Sequence, residues 1–312
     1  MNESWPLLAF VLTGTFLWGI GNVVKSYFLR KRNVHEDVVV VATMFGAAAF
    51  SFTVEVAVNG LPGIREGFWI PFAVTAVLNI GIQYWNVKAL KYEDASIVVP
   101  LASSMPLFLI LMAWVILREF PTPLGRVGIV CIALGAYVLY LKGTEMELPG
   151  FVARMLPEQY HARAIFWAGP WLRLWSSKGA RLALATAYLG AIAVPFDKLA
   201  TLRSSPMVFT GGAFLVVAAF VYGWSHQSGR WQAADRSNFM PLFYLGLLVG
   251  LYTVLMNAGY LYGIAPYVGA LKRVQIFWTV LLAGLFLKES HTRLRLTGAS
   301  IIFAGALLIS LG

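Results

Sequence analysis

The stretch "ALKYEDASIVVPLASSMPLFLILMAWVILREFPTPLGRVGIVCIALGAYVLYL", residues 89–141, holds two apolar runs parted by a polar connection at Arg118 and Glu119. Each run approaches the roughly 20 residues that a helix needs to cross the hydrocarbon core of a bilayer. The pattern returns 170 residues later: Tyr92 falls on Tyr262, Leu117 on Leu287, Glu119 on Glu289, Thr122 on Thr292, Gly128 on Gly298 and Gly135 on Gly305. A displacement of 173 aligns the start of each half, with Thr13 on Thr186, Lys25 on Lys198 and Arg30 on Arg203. Aliphatic matches between apolar helices carry little information. Polar matches at helix ends, above all Lys25 with Lys198 and Glu119 with Glu289, are specific.

Outward from this repeat, ten candidate spans cover approximately 5–27, 38–58, 69–90, 95–117, 123–141, 180–202, 206–224, 239–261, 266–287 and 294–311. The expected fold is an all-α membrane protein of ten transmembrane helices. Equivalent positions lie five spans apart, an odd number, so the second half is threaded upside down relative to the first. The expected organisation is an N-terminal five-helix repeat over 1–141, an interfacial linker over 142–179 and a C-terminal five-helix repeat over 180–312. Inverted repeats are the usual build of secondary transporters, whose substrate site lies between the halves near the midplane.

Composition agrees. Of 312 residues, 59% are hydrophobic and 12% charged, against about 25% charged in soluble domains. The net charge of +10 would raise nucleic acid as a partner, but no basic stripe with interleaved aromatics stands apart from the apolar runs. Basic residues in short connections instead orient membrane proteins. Sixteen of the 24 fall after spans 1, 3, 5, 7 and 9, and four on the opposite side. This count puts both termini outside, with the bacterial inner (plasma) membrane as the expected location. The single Cys131 excludes an internal disulfide and a CxxC metal site. "MNESWP" opens without Lys or Arg and no cleavage site follows, so the first apolar segment is expected to be retained. Within the linker, Trp167, Trp171 and Trp175 recur every four residues beside Arg163, Arg173 and Lys178. Indole rings favour the bilayer interface. The linker is therefore expected to lie on the cytoplasmic membrane surface, with regular helix only from Pro170 onward.

Residues 89–141 and their echo "YLYGIAPYVGALKRVQIFWTVLLAGLFLKESHTRLRLTGASIIFAGALLI", residues 260–309, resemble the two EamA-type repeats of the drug/metabolite transporter superfamily. "WGIGNVVK" (18–25) and "PFDKL" (195–199) resemble the family's first-span segments. The resemblance covers nearly the whole chain except 142–179, and it implies the ten-helix fold and transport. Many relatives are thought to keep both termini in the cytoplasm, opposite to the charge count here. Sugar-phosphate translocators of the superfamily carry a similar Lys-Arg pair in the ninth span, which implies an anionic group on the substrate.

Four basic residues fall within spans or at their edges: Lys25, Lys198, Lys272 and Arg273. Each costs about 2.5–3.5 kcal/mol at the centre of a spanning helix, so none is expected to face lipid, and each is a functional candidate by default. Lys272 lies about 10 Å in from Pro266 at 1.5 Å per residue, with Asp197 and Lys198 at similar depth. In one reading Lys272 and Arg273 bind an anionic substrate group and Asp197 competes with it as an internal counter-ion. In the other, Asp197 pairs permanently with one of them and locks spans 6 and 9. Asn79, Gln83 and Asn86 form a helical stripe in span 3, Asn257 sits at comparable depth in span 8, and Ser103 and Ser104 occupy the equivalent depth in span 4. Cavity lining and interhelical hydrogen bonding both explain them. Pro100 and Pro106 loosen span 4, while Glu119 and Glu289 read as interfacial ion pairs beside Arg118 and Lys288.

No Walker loop, HExxH or GxSxG occurs, "GIGNVV" lacks the third glycine of a dinucleotide turn, and the four histidines have no ligand spacing. No enzyme activity, cofactor or metal is expected. The leading expectation is a secondary transporter working by alternating access on a small anionic or zwitterionic metabolite. A flippase for a lipid-linked phosphate and a non-transporting membrane scaffold are the alternatives.

Overall fold

The computed structural model describes residues 4–30, 32, 34–60, 63–93, 95–140, 157, 159, 161–229, 236–287 and 293–311. The regular elements among them are helices: α1 (Ser4–Arg30), α2 (Glu36–Asn59), α3 (Trp69–Tyr92), α4 (Ala95–Ala102), α5 (Met105–Leu117), α6 (Pro123–Tyr140), α7 (His161–Leu172), α8 (Lys178–Leu202), α9 (Pro206–Gln227), α10 (Arg236–Ala258), α11 (Ala265–Leu271), α12 (Gln275–Leu287) and α13 (Arg293–Leu311). Among the described residues, six stretches are long and apolar enough to cross a membrane: Trp5–Lys25, Asp37–Asn59, Pro100–Leu117, Lys178–Leu202, Pro206–Gln227 and Asn238–Leu261. Shorter apolar helices cover Trp69–Ile82, Pro123–Leu139 and Thr297–Leu311. The chain is an integral membrane protein.

Two segments that read as continuous helices, 95–117 and 266–287, are each broken. The first breaks at Ser103 and Ser104, between α4 and α5. Pro106 has no N–H to offer the carbonyl of Ala102. The chain tightens instead into short turns, with Ser103 N donating to Pro100 O and Ser104 N to Leu101 O, both at 3.2 Å. The second breaks at a 3₁₀ turn, Lys272–Val274, between α11 and α12. These are equivalent positions of the repeat, and a 3₁₀ turn inside a helix often marks a functional hinge. The linker also departs from expectation. α7 begins at His161 and holds Pro170 in its last turn, where only one backbone hydrogen bond is lost. A 3₁₀ turn over Arg173–Trp175 follows, tied down by Arg173 Nε donating to Glu93 Oε2 at 3.2 Å.

Packing is mainly between the halves. α6 lies against α13, α2 against α9, α3 against α8, α1 against α10, α5 against α8, and α12 against α1. Exchanging each helix with its repeat mate leaves this set unchanged. The largest departure from the pattern is α2, which packs along α10, whereas the mates α9 and α3 touch lightly. The α6–α13 seam is a backbone-to-backbone contact. A Cβ on Gly135 would sit 2.7 Å from the carbonyl oxygen of Gly298, and one on Gly298 equally close to that of Gly135. Small residues at such crossings let backbones approach, which in lipid replaces the missing hydrophobic drive between helices.

Gly135→Leu should therefore lower stability by about 2 kcal/mol or more, because backbone carbonyls cannot move aside as side chains do. Thermal unfolding in detergent checks this, with Gly223→Leu, where a Cβ meets nothing within 4 Å, as the neutral control.

Candidate functional site

The two helix breaks meet. Arg273, in the turn between α11 and α12, donates from Nη2 to Sδ of Met105, the first residue of α5, at 3.0 Å. Beside it, Lys272 Nζ donates to Asn257 Oδ1 at 2.9 Å and to Tyr260 Oη at 3.0 Å. The ammonium also lies 4.5 Å from the Tyr260 ring centroid, in cation–π range. Asn257 Nδ2 in turn donates to Thr210 Oγ1 at 2.9 Å, which joins α10 to α9. Both hydrogen-bond partners of Lys272 are neutral.

The acid sits apart from the base. Asp197 of α8 follows Pro195, which withdraws one helix hydrogen bond just before it. Its Oδ1 accepts from Thr75 Oγ1 of α3. Asn79 Nδ2 supports that threonine, donating to its carbonyl at 2.9 Å and its hydroxyl at 3.2 Å. Asp197 and Lys272 attract each other electrostatically, yet among the described residues they form no ion pair. A cation with neutral hydrogen-bond partners thus lies within electrostatic reach of a carboxylate held by a neutral donor. The N-terminal ends of α5 and α12 at the breaks add partial positive charge.

Lys198, one residue after Asp197, does something different. It donates to Glu119 Oε1 and, at 2.8 Å, to the carbonyl of Gly263. Glu119 Oε2 accepts from Ala265 N, the first residue of α11, at 2.7 Å. One ion pair therefore clasps the ends of α5, α8, α10 and α11.

Of the sequence candidates, the structure gathers Lys272 with Asn257, Arg273 with the α5 start, and Asp197 with Asn79 through Thr75. It separates Lys198, which serves the clasp, and Lys25, which is half-buried near the far end of α1. Ser103 and Ser104 are buried at the break, and the Ser104 hydroxyl bonds within its own segment, to Leu101 O at 2.6 Å. The side chains of Gln83 and Asn86, and all of Glu289, lie outside the described residues. Trp18 stacks on Tyr252 and Trp278 packs edge-on against Phe16, so both are packing residues. Glu119 is not the surface partner of Arg118. Its match with Glu289, alongside that of Lys25 with Lys198, was the available signal. Tyr260 and Thr75 were missed, since nothing in an apolar helix marks one hydroxyl above another.

The sequence pattern described as the EamA-like transporter family matches residues 5–141 and 177–311. No curated protein matches the chain. A solved structure, described only as the crystal structure of a protein, aligns with a TM-score of 0.75 at 18% identity. The alignment covers 99% of each chain. At that identity the likeness is one of fold.

The Lys198–Glu119 side chains are 9% and 19% exposed, so the pair is partly desolvated and each charge depends on the other. Lys198→Met and Glu119→Gln should each destabilise the protein, while the double variant recovers part of the loss. A double-mutant cycle by denaturant unfolding should return a coupling of about 1–3 kcal/mol.

Proposed function

We propose that this chain, which belongs to the EamA-like transporter family, is a secondary transporter of small anionic or zwitterionic metabolites. Members of the family are transporters, not enzymes. In this reading ten spans form two inverted five-helix halves, over 1–141 and 180–312, joined by an interfacial linker over 142–179. The substrate sits where the two broken helices meet.

The supporting observation is the separation of Lys272 from Asp197. An ammonium whose hydrogen-bond partners among the described residues are neutral gains most from an anionic group, and Arg273 next to it offers a planar fork of donors. A zwitterion satisfies both sides, its carboxylate at Lys272 and its ammonium at Asp197. Asn257, Tyr260 and Thr75 hold the charged groups in place while the site is empty. A non-transporting scaffold has no use for two opposite charges buried apart, since closing them into one pair would be more stable.

Alternating access follows from the asymmetry of the packing. In this conformation α2 and α10 are closed together while their mates α9 and α3 are nearly apart, and the Lys198 clasp is shut. Exchanging the roles of the halves yields the opposite state: α9 closes on α3, α2 parts from α10, and Lys198 releases Glu119. With no nucleotide-binding loop in the chain, gradients or exchange drive the cycle.

A flippase for a lipid-linked phosphate is favoured by one feature. A groove of about 210 Å³ lies at the α4–α5 break, lined by Ser104, Leu107, Leu134, Tyr137, Trp167 and Trp171. An acyl or isoprenoid chain would suit it.

Lys272→Ala and Arg273→Ala should each reduce uptake by proteoliposomes at least tenfold across a panel of anionic and zwitterionic metabolites, while thermal unfolding stays cooperative. Unaltered uptake would defeat the assignment. Deleting 150–176 should spare water-soluble substrates. Selective loss of lipid transport in that variant would favour the flippase.

A further inference from the structure

A second cavity, of about 700 Å³, opens at the end of the bundle where α2 finishes and α9 begins. Its wall carries a carboxylate that the transport site does not use. Glu55 of α2 is only 2% exposed. Its Oε2 accepts from Ser205 Oγ at 2.6 Å and from Asn59 Nδ2 at 3.0 Å. Ser205 is the cap of α9, accepting from Val208 N at 3.0 Å, so its position is set by the helix as well as by the acid. Both donors are neutral, and both bonds fall on one oxygen.

Among the described residues no cation pairs with Glu55. Arg65 lines the same cavity but is exposed and forms no ion pair with it. Arg203 nearby donates instead to the carbonyl of Gly67, at 2.7 Å. A buried carboxylate without a counter-charge is costly, and here it borders a space large enough for a small organic molecule. Much of the remaining wall is apolar or aromatic. Phe10 of α1 and Tyr262, beyond α10, stack with centroids 5.5 Å apart and planes 12° from parallel. Met207 and Leu255 also line it.

We propose that this cavity is a binding site for a primary amine carrying an apolar body. The ammonium pairs with the free oxygen of Glu55, and the body lies against Phe10, Tyr262, Leu255 and Met207. Charge complementarity selects the occupant. An anion would be repelled by Glu55, and a neutral molecule would leave its charge uncompensated. Aromatic faces add attraction for a cation. A carboxylate on the ligand is tolerated where it can reach Arg65 at the rim. The inference stands apart from the Lys272 reading, because equilibrium binding here and uptake there can each fail alone.

The test uses three probes of one shape and different charge: phenethylamine, 2-phenylethanol and hydrocinnamate. Equilibrium dialysis of the purified full chain, against micelles of the same detergent, should retain the amine at least tenfold more tightly than either control. Glu55→Gln keeps an acceptor for Ser205 and Asn59 and should abolish the preference. Tyr262→Leu, at an exposed position, should weaken amine retention severalfold and keeps the test open if Glu55→Gln fails to fold. Equal retention of the three probes, an amine preference that survives in folded Glu55→Gln, or unchanged retention in Tyr262→Leu would overturn the proposal.

Discussion

A charged side chain within a bilayer must find its partners inside the protein, because hydrocarbon provides none. That constraint organises this molecule. Lys198 meets it with a carboxylate and a backbone carbonyl, and so joins helix ends from both halves into one clasp. Lys272 meets it with an amide and a phenol. The two solutions differ in consequence. The first neutralises the charge and makes the pair a clasp between helix ends. The second holds the ammonium in position without cancelling its charge, and the proposed substrate site rests on that property.

The helix breaks make the second solution possible. A continuous helix carries its side chains past the midplane at fixed angles and keeps its backbone groups occupied. At Ser103–Ser104 and at Lys272–Val274 the ladder tightens and restarts, so helix ends are brought beside the buried charges. Non-helical backbone at this depth survives because it is enclosed by protein. The glycine seam between α6 and α13 gives the opposite quality. Backbones in direct contact have little freedom to slide, so in the proposed cycle that interface serves as a fixed axis and the lightly touching α3 and α9 as a moving one.

Much of this was readable along the chain. Apolar run length gave the helices, the 170-residue echo gave the two halves, and depth within a span singled out Lys272, Arg273, Asp197 and Lys198. Gly128, Gly135, Gly298 and Gly305 recur in register along the chain, and the fold makes them surfaces of close approach. The pairing did not follow. Lys198 and Asp197 are adjacent in sequence, yet they project toward different neighbours, about 100° apart around the helix. One reaches α5 and the other α3. Glu119 looked like an interfacial residue because Arg118 is beside it, and only its repeat match hinted otherwise. The break at Lys272 has no proline to announce it.

Periodicity, run length and the expense of burying charge are local properties, and they sufficed to determine an all-helical membrane protein with a duplicated plan and a few internal ions. Partner choice depends on which faces of distant helices are brought within 3 Å of each other. That is a property of crossing angles and backbone separation, set by all the contacts at once. Tertiary structure alone decided that Lys198 closes a clasp while Lys272 and Asp197 remain apart, because whether a lysine is packed against a carboxylate or a neutral group depends on which helix faces meet.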